Sequence, residues 1–204
     1  MSSGNPSNRL VVIERAPSNV VAGPNAGVLC AIKNDRVGLA LWWRKLCPGL
    51  AKAASDMLAG STFSCSAVGE PRLAVQELLR AVPLQAAVLG SDIERLANLF
   101  SELGGSSVIR LRLEHGRLQT LRELQLDATR LRMLCTYAGP GIEWQDGQGT
   151  VRRMPEGHVA FLKGTRWLAD DKDALVLHRS PTPANSRYTK DGWLLLCIDQ
   201  PNLN

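Results

Sequence analysis

Apolar and polar positions change rhythm once along this chain, close to Gly104-Gly105. Before that point apolar residues recur at helical spacing. Pro48 suits the first turn of a helix, where its missing amide hydrogen leaves nothing unpaired. Leu50, Ala53, Ala54, Met57 and Leu58 then fall on one stripe, and Gly60 follows as a stop. A second helix is expected after Glu70-Pro71, burying Leu73, Leu78 and Leu79 and ending before Pro83. A third is expected from Ser91, which with Glu94 has capping-box spacing, through Ile93, Leu96, Ala97, Phe100 and Leu103 to the glycine pair. Ahead of these helices, residues 28–32 and 37–43 read as a strand or turn pair joined by Asn34-Asp35.

From Ser106 onward the period is two. Ile109, Leu111 and Leu113 alternate with Arg110, Arg112 and Glu114, and His115-Gly116 reads as a turn. Further strands are expected over 125–137, 159–163, 174–178 and 193–198. Glycine and proline clusters, among them Gly139-Pro140-Gly141 and Pro155-Glu156-Gly157, separate them. Several short strands split by turns indicate a sandwich or a jelly-roll barrel. The expected fold class is therefore α+β: an N-terminal helical layer packed on a C-terminal double-stranded β-helix barrel of the jelly-roll, cupin-like kind. Residues 1–18 read as a disordered tail, 19–105 as mainly helical and 106–204 as the barrel, with helices and barrel in one compact unit.

Composition narrows the function classes. Hydrophobic residues make up 45% of the 204, yet no apolar run reaches the ~18 residues of a membrane span, so no membrane partner is expected. The opening Met1 to Pro6 lacks a charged-then-apolar signal pattern, which fits a cytoplasmic protein. Cys30, Cys47, Cys65, Cys135 and Cys197 have no zinc-knuckle or redox spacing and read as reduced thiols. A net charge of +5 does not by itself point to nucleic acid. Arg110, Arg112, Arg117, Arg122, Arg130, Arg132, Arg152 and Arg153 would form a basic strip across neighbouring strands. No aromatics are interleaved among them to stack bases, so a solvated sheet face is expected, not a nucleic-acid partner. No nucleophile elbow and no Walker loop occurs.

The candidate chemistry lies between Gln125 and Pro181. On a continuous strand Gln125, Asp127, Thr129, Leu131, Met133, Cys135 and Tyr137 share one face. An inward Asp127 would need a metal or a basic partner, because an unpaired carboxylate facing a core is costly. His178 ends a later strand. A carboxylate and a late histidine on separate strands are two of the three groups that hold non-haem iron. The alternative is that Asp127 caps a turn and His178 donates to a backbone carbonyl. Glu143 either reaches over the pocket or anchors the loop after Gly141, with Trp144 packed on the barrel. Arg179 either binds substrate or pairs with Asp127 or Glu143.

Five blocks occur in order: Leu41-Trp42-Trp43-Arg44, Thr136 to Trp144, Gly157 to Gly164, His178-Arg179-Ser180-Pro181, and Leu194 to Asp199. In these the chain resembles, over nearly its whole length, the bacterial family designated domain of unknown function 1826. Through a His-x-Asp, a later His and a trailing Arg, that family is more distantly similar to the iron- and 2-oxoglutarate-dependent oxygenases. The resemblance implies metal ligands at Asp127 and His178 with Gln125 where the first histidine belongs. A glutamine amide is a weaker, neutral ligand. Trp193 stands where the arginine for the cosubstrate belongs, so Arg187 or Lys190, with Arg179, would hold 2-oxoglutarate. Tyr137, Arg132, Glu143, Trp144 and Trp193 would line the pocket, and His115 or His158 could complete the metal site. The expected function is an oxygenase-like domain with an incomplete Fe(II) site, its substrate a small molecule or a protein. The alternative is a catalytically inactive binding or scaffold protein on the same fold.

Overall fold

The structure, a computed structural model, describes residues 19–117, 123–145, 149–167, 174–180 and 192–201. Strands β1 (Val20–Gly23), β2 (Leu39–Trp42) and β3 (Phe63–Gly69) come from the first half of the chain. They are interspersed with helices α1 (Pro48–Met57), α2 (Pro71–Ala81) and α3 (Gly90–Gly104). The second half supplies β4 (Ile109–Arg117), β5 (Leu131–Ala138), β6 (Glu143–Gln145), β7 (Val151–Arg153), β8 (Val159–Lys163), β9 (Leu177–Arg179) and β10 (Gly192–Asp199). A seven-stranded sheet runs β1-β2-β8-β5-β10-β4-β3, and a three-stranded sheet runs β7-β6-β9. No helix among the described residues is long and apolar enough to cross a membrane.

The period-two pattern explains the two layers of core. On β5, Leu131, Met133, Cys135 and Tyr137 face the helices, together with Leu194, Leu196 and Ile198 of β10 and Leu111 and Leu113 of β4. They share one cluster with Leu78 of α2 and Ile93, Leu96 and Phe100 of α3. The opposite face presents Leu134, Leu195 and Cys197 to the small sheet, where Ile142, Trp144 and Val176 meet them. One face of the large sheet is therefore covered by helices and the other by the small sheet. A polar tie spans the first layer: Arg44 donates from Nη1 and Nη2 to Asp92 at 2.6 and 2.7 Å. Tyr137 donates its hydroxyl to the same carboxylate at 2.8 Å. Burial would raise the pKa of Asp92, but the bonds from Arg44 hold it below the usual carboxylate value.

Several expectations need correction. Residues 28–32 lie in a 3-10 helix, Ala26–Lys33, not a strand. Region 19–105 is not a separate helical layer alone: beside its helices it gives three strands to the large sheet, and β3 pairs with β4 directly across the Gly104-Gly105 junction. Strand β3 carries small residues on an edge, so its alternation in the sequence is shallow. On α2 the buried stripe is Ala74, Val75 and Leu78, while Leu73 is 55% exposed. Ser91 does not cap α3: a 3-10 turn, Leu84–Leu89, runs straight into the helix, and no side chain caps it. Its other end is as expected, with Gly105 at φ 63°, a left-handed conformation that glycine adopts at little cost. His115 and Gly116 lie inside β4, not at a turn.

Candidate functional site

Strand β5 begins at Leu131, not at Gln125, and the reason is local. The Asp127 carboxylate turns back on its own backbone. Its Oδ1 accepts from the Thr129 amide at 2.8 Å and from the Thr129 hydroxyl at 2.6 Å. This side-chain turn bends residues 128–130 and breaks the alternation expected across 125–137. Asp127 consequently lies against Arg132, on the small-sheet side, and not on the face of Leu131 and Tyr137. With Oδ1 occupied, Oδ2 points at two groups: Arg132 Nη1 at 2.9 Å and His178 Nε2 at 3.6 Å.

Neither contact is a good hydrogen bond. The arginine is an ion-pair partner by distance, but Oδ2 receives no well-directed N–H and is buried. The imidazole is too far away for a direct bond. His178 is held by β9, which pairs with β6 so that His178 faces Trp144 in register. On its other side the backbone of His178 exchanges two 3.0 Å hydrogen bonds with Gln125. Only 8% of His178 is exposed, and its Nδ1 has no hydrogen-bond partner. Burial pushes its pKa below 6.5; Asp127 opposes that shift and Arg132 adds to it. At neutral pH the ring is therefore uncharged and has a lone pair to offer.

Behind this pair the charges alternate across three strands. Arg132 Nη2 reaches Asp199 Oδ2 at 3.1 Å, and Asp199 Oδ1 accepts from Arg110 Nε at 2.7 Å. Arg112 pairs with Glu114 at 2.9 Å. Arg110, Arg112 and Arg132 thus each face a carboxylate, and the expected solvated basic strip does not form at these positions. Between the two sheets opens a cavity of about 680 Å³, whose wall includes Arg132, His178, Leu134, Cys197, Gln125 and Trp193. That volume suits a small molecule. The thiol of Cys197, fully enclosed, is pushed up to about 11 by burial, so it stays protonated. The indole of Trp193 lies on Gly116, where a Cβ would come within 2.5 Å of its Cζ2.

The expected site residues divide. Asp127, His178 and Arg132 converge, Gln125 joins through its backbone with an exposed side chain, and Trp193 lines the cavity. Tyr137 is corrected: it faces the helices and binds Asp92, on the far side of the sheet from the cavity. Glu143 does not reach over the pocket. It is gripped by Arg179 Nε at 2.8 Å and by Arg153, which ties β9, β6 and β7 together, so Arg179 is engaged although it borders the cavity. Trp144 is packed between the sheets. Arg187 and Lys190 lie outside the described residues. His115 bonds the Ser61 carbonyl and His158 that of Glu156. Among the described residues no three His, Cys, Asp or Glu side chains come together to hold a metal, so neither histidine completes the set. Thr129 and Asp199 went unanticipated as site residues. The Asp-x-Thr spacing signals the first; the second is a partner distant in sequence.

The family model described as "Protein of unknown function (DUF1826)" matches residues 23–199, and the chain belongs to that family. No curated protein matches the sequence. Among solved structures, the dioxygenase for auxin oxidation 1 of Arabidopsis thaliana, in complex with 2-oxoglutarate, is similar at 12% identity and TM-score 0.52. The match covers 88% of this chain and 91% of that one. JOX2 in complex with 2OG, Fe and JA is similar at 10% identity and TM-score 0.55, covering 91% and 75% of the two chains. A prolyl-4-hydroxylase of Pseudomonas putida is similar at 11% identity and TM-score 0.50, covering 86% and 97%. At such identities the likeness is one of fold: the two sheets form the double-stranded β-helix of these oxygenases.

Proposed function

We propose that this protein is an oxygenase-type domain that holds Fe(II) between Asp127 and His178 and admits a small molecule to the adjoining cavity. One observation carries this reading: the buried Asp127 Oδ2 faces Nε2 of the His178 ring, a side chain only 10% exposed, at 3.6 Å, with no well-directed hydrogen bond to Oδ2 and none between the two atoms. Ligands at about 2.0–2.2 Å from one ion, set at a right angle or somewhat wider, stand roughly 3–3.6 Å apart. A carboxylate oxygen with a neutral imidazole is a donor set that suits ferrous iron. Gln125, tied to His178 by the backbone, offers a neutral amide oxygen as the third group.

When bound, the metal would supply Lewis acidity and one-electron chemistry to a molecule in the cavity. The chain's own part is orientation and enclosure. Thr129 fixes which carboxylate oxygen is presented, burial keeps the imidazole neutral, and Leu134 with Trp193 gives an otherwise polar cavity an apolar patch. The cosubstrate proposed from the fold is 2-oxoglutarate, with Arg187 as the group for its distal carboxylate.

A second reading has its own support. Arg132 already stands 2.9 Å from the same Oδ2, and the Gln125 side chain is exposed. Both features suit a catalytically inactive binding protein on this scaffold. Anaerobic titration with Fe(II), or with Co(II) as a spectroscopic substitute, separates the two. The wild type should take up close to one equivalent, and Asp127→Ala and His178→Ala should each lose it. Wild-type uptake and stability in both variants would leave the inactive scaffold as the reading.

A further inference from the structure

We infer that Arg132 is a built-in counter-cation for the metal position: it neutralises Asp127 while no metal is bound and gives way toward Asp199 when a divalent cation arrives. This rests on the reading of Asp127 and His178 as a metal position and adds a device that governs it.

The Asp127 side chain is 1% exposed, and an ionised carboxylate so deeply buried does not persist without a positive partner. Its Oδ1 is committed to Thr129, so Oδ2 alone remains for a cation. Arg132 and a metal would therefore compete for one oxygen atom. They cannot share it closely, because a guanidinium held next to a divalent ion raises the energy of both charges in a site poor in water.

Arg132 is built to move. Its fork already touches two carboxylates, Asp127 through Nη1 and Asp199 through Nη2 at 3.1 Å, so one landing partner is in place. Its Nε is buried with no hydrogen-bond partner, so the guanidinium is not locked by a full set of bonds. The neighbouring Cys197 thiol stays protonated and offers no competing anion. Shifting toward Asp199 gives up an undirected contact and keeps a directed one at 3.1 Å. The device makes metal loading reversible and leaves the metal-free protein folded.

The test uses the full chain with Arg132→Met, and with Arg132→Gln as a second variant whose amide can still bond both carboxylates if the first fails to fold. Three quantities are read: thermal stability without metal, Co(II) affinity from its visible absorption, and the Co(II)-induced rise in Tm. Removing the guanidinium should lower the metal-free Tm, tighten Co(II) binding by about ten-fold or more, and enlarge the metal-induced rise. Adding Asp127→Asn to the variant should abolish both metal effects. If the wild type binds Co(II) and the Arg132 variants bind it equally or more weakly, Arg132 is no competitor and the inference is overturned. If neither wild type nor variant binds Co(II), the metal position itself is refuted, and the inference with it.

Discussion

Tyr137→Phe tests which side of the sheet carries the cavity. The substitution removes one hydroxyl and keeps the ring, so packing against the helices is unchanged. The lost bond, 2.8 Å to Asp92, is to a carboxylate that still receives two donors from Arg44 at 2.6 and 2.7 Å. A hydrogen bond to an ionised group contributes about 1.5–3 kcal/mol. Because Asp92 is not left without partners, the expected loss lies near the lower end, about 1.5–2 kcal/mol. For a chain of this length each kcal/mol moves Tm by about 2–4 °C, so Tm should fall by about 3–8 °C. Burial raises the phenol pKa well above its ordinary value, so the hydroxyl donates throughout the accessible pH range. Arg44→Met gives the scale: it removes two of the three charged donor contacts to a carboxylate 8% exposed, leaves Arg95 at 3.2 Å, and should cost about 3 kcal/mol, the low end for breaking a buried pair. Urea unfolding measures the loss, and Co(II) titration of the same protein should match wild type. Stability within about 0.5 kcal/mol of wild type, or a several-fold change in metal affinity, would refute the placement of Tyr137 on the helical side.

Two further outcomes are expected. Gly116→Ala puts a methyl where the Trp193 indole rests, and overpacking of this kind costs about 1–3 kcal/mol; unchanged stability and tryptophan emission would mean the indole does not lie there. His178 has a folded pKa depressed below 6.5, so the unfolded chain takes up the proton first as pH falls. Its stabilising contribution is complete above about pH 6.5 and drains away as pH drops through the folded value. His178→Gln should flatten the stability curve over that window, and parallel curves for the two proteins would contradict the burial of an uncharged ring.

The residue types of the candidate site were legible in the sequence, whereas their surroundings were not. Asp127 and His178 stand out because a carboxylate and a histidine at strand ends are costly features without a purpose. Strands β4, β8 and β10 and the helices α1 to α3 followed from period and punctuation, since each is decided by neighbours a few residues away. The misplacement of Tyr137 came from carrying strand parity through residues 125–137. A single side-chain turn, Asp127 onto Thr129, resets that parity and moves the carboxylate to the opposite face. The sequence left Glu143 between a pocket and an anchoring role for a related reason: its partners Arg153 and Arg179 are on two other strands.

Periodicity in the chain determined that helices precede a set of short strands, and that Ile109, Leu111 and Leu113 of β4 share the buried face. Only the tertiary structure decided that β1, β2 and β3 join the large sheet, that Arg132 stands between Asp127 and Asp199, and that an imidazole comes within 3.6 Å of a carboxylate some fifty residues away in the chain. The physical reason is range. Hydrophobic alternation and turn chemistry act over a few residues, while strand pairing and the compensation of buried charge are settled between groups that only the folded sheets bring together.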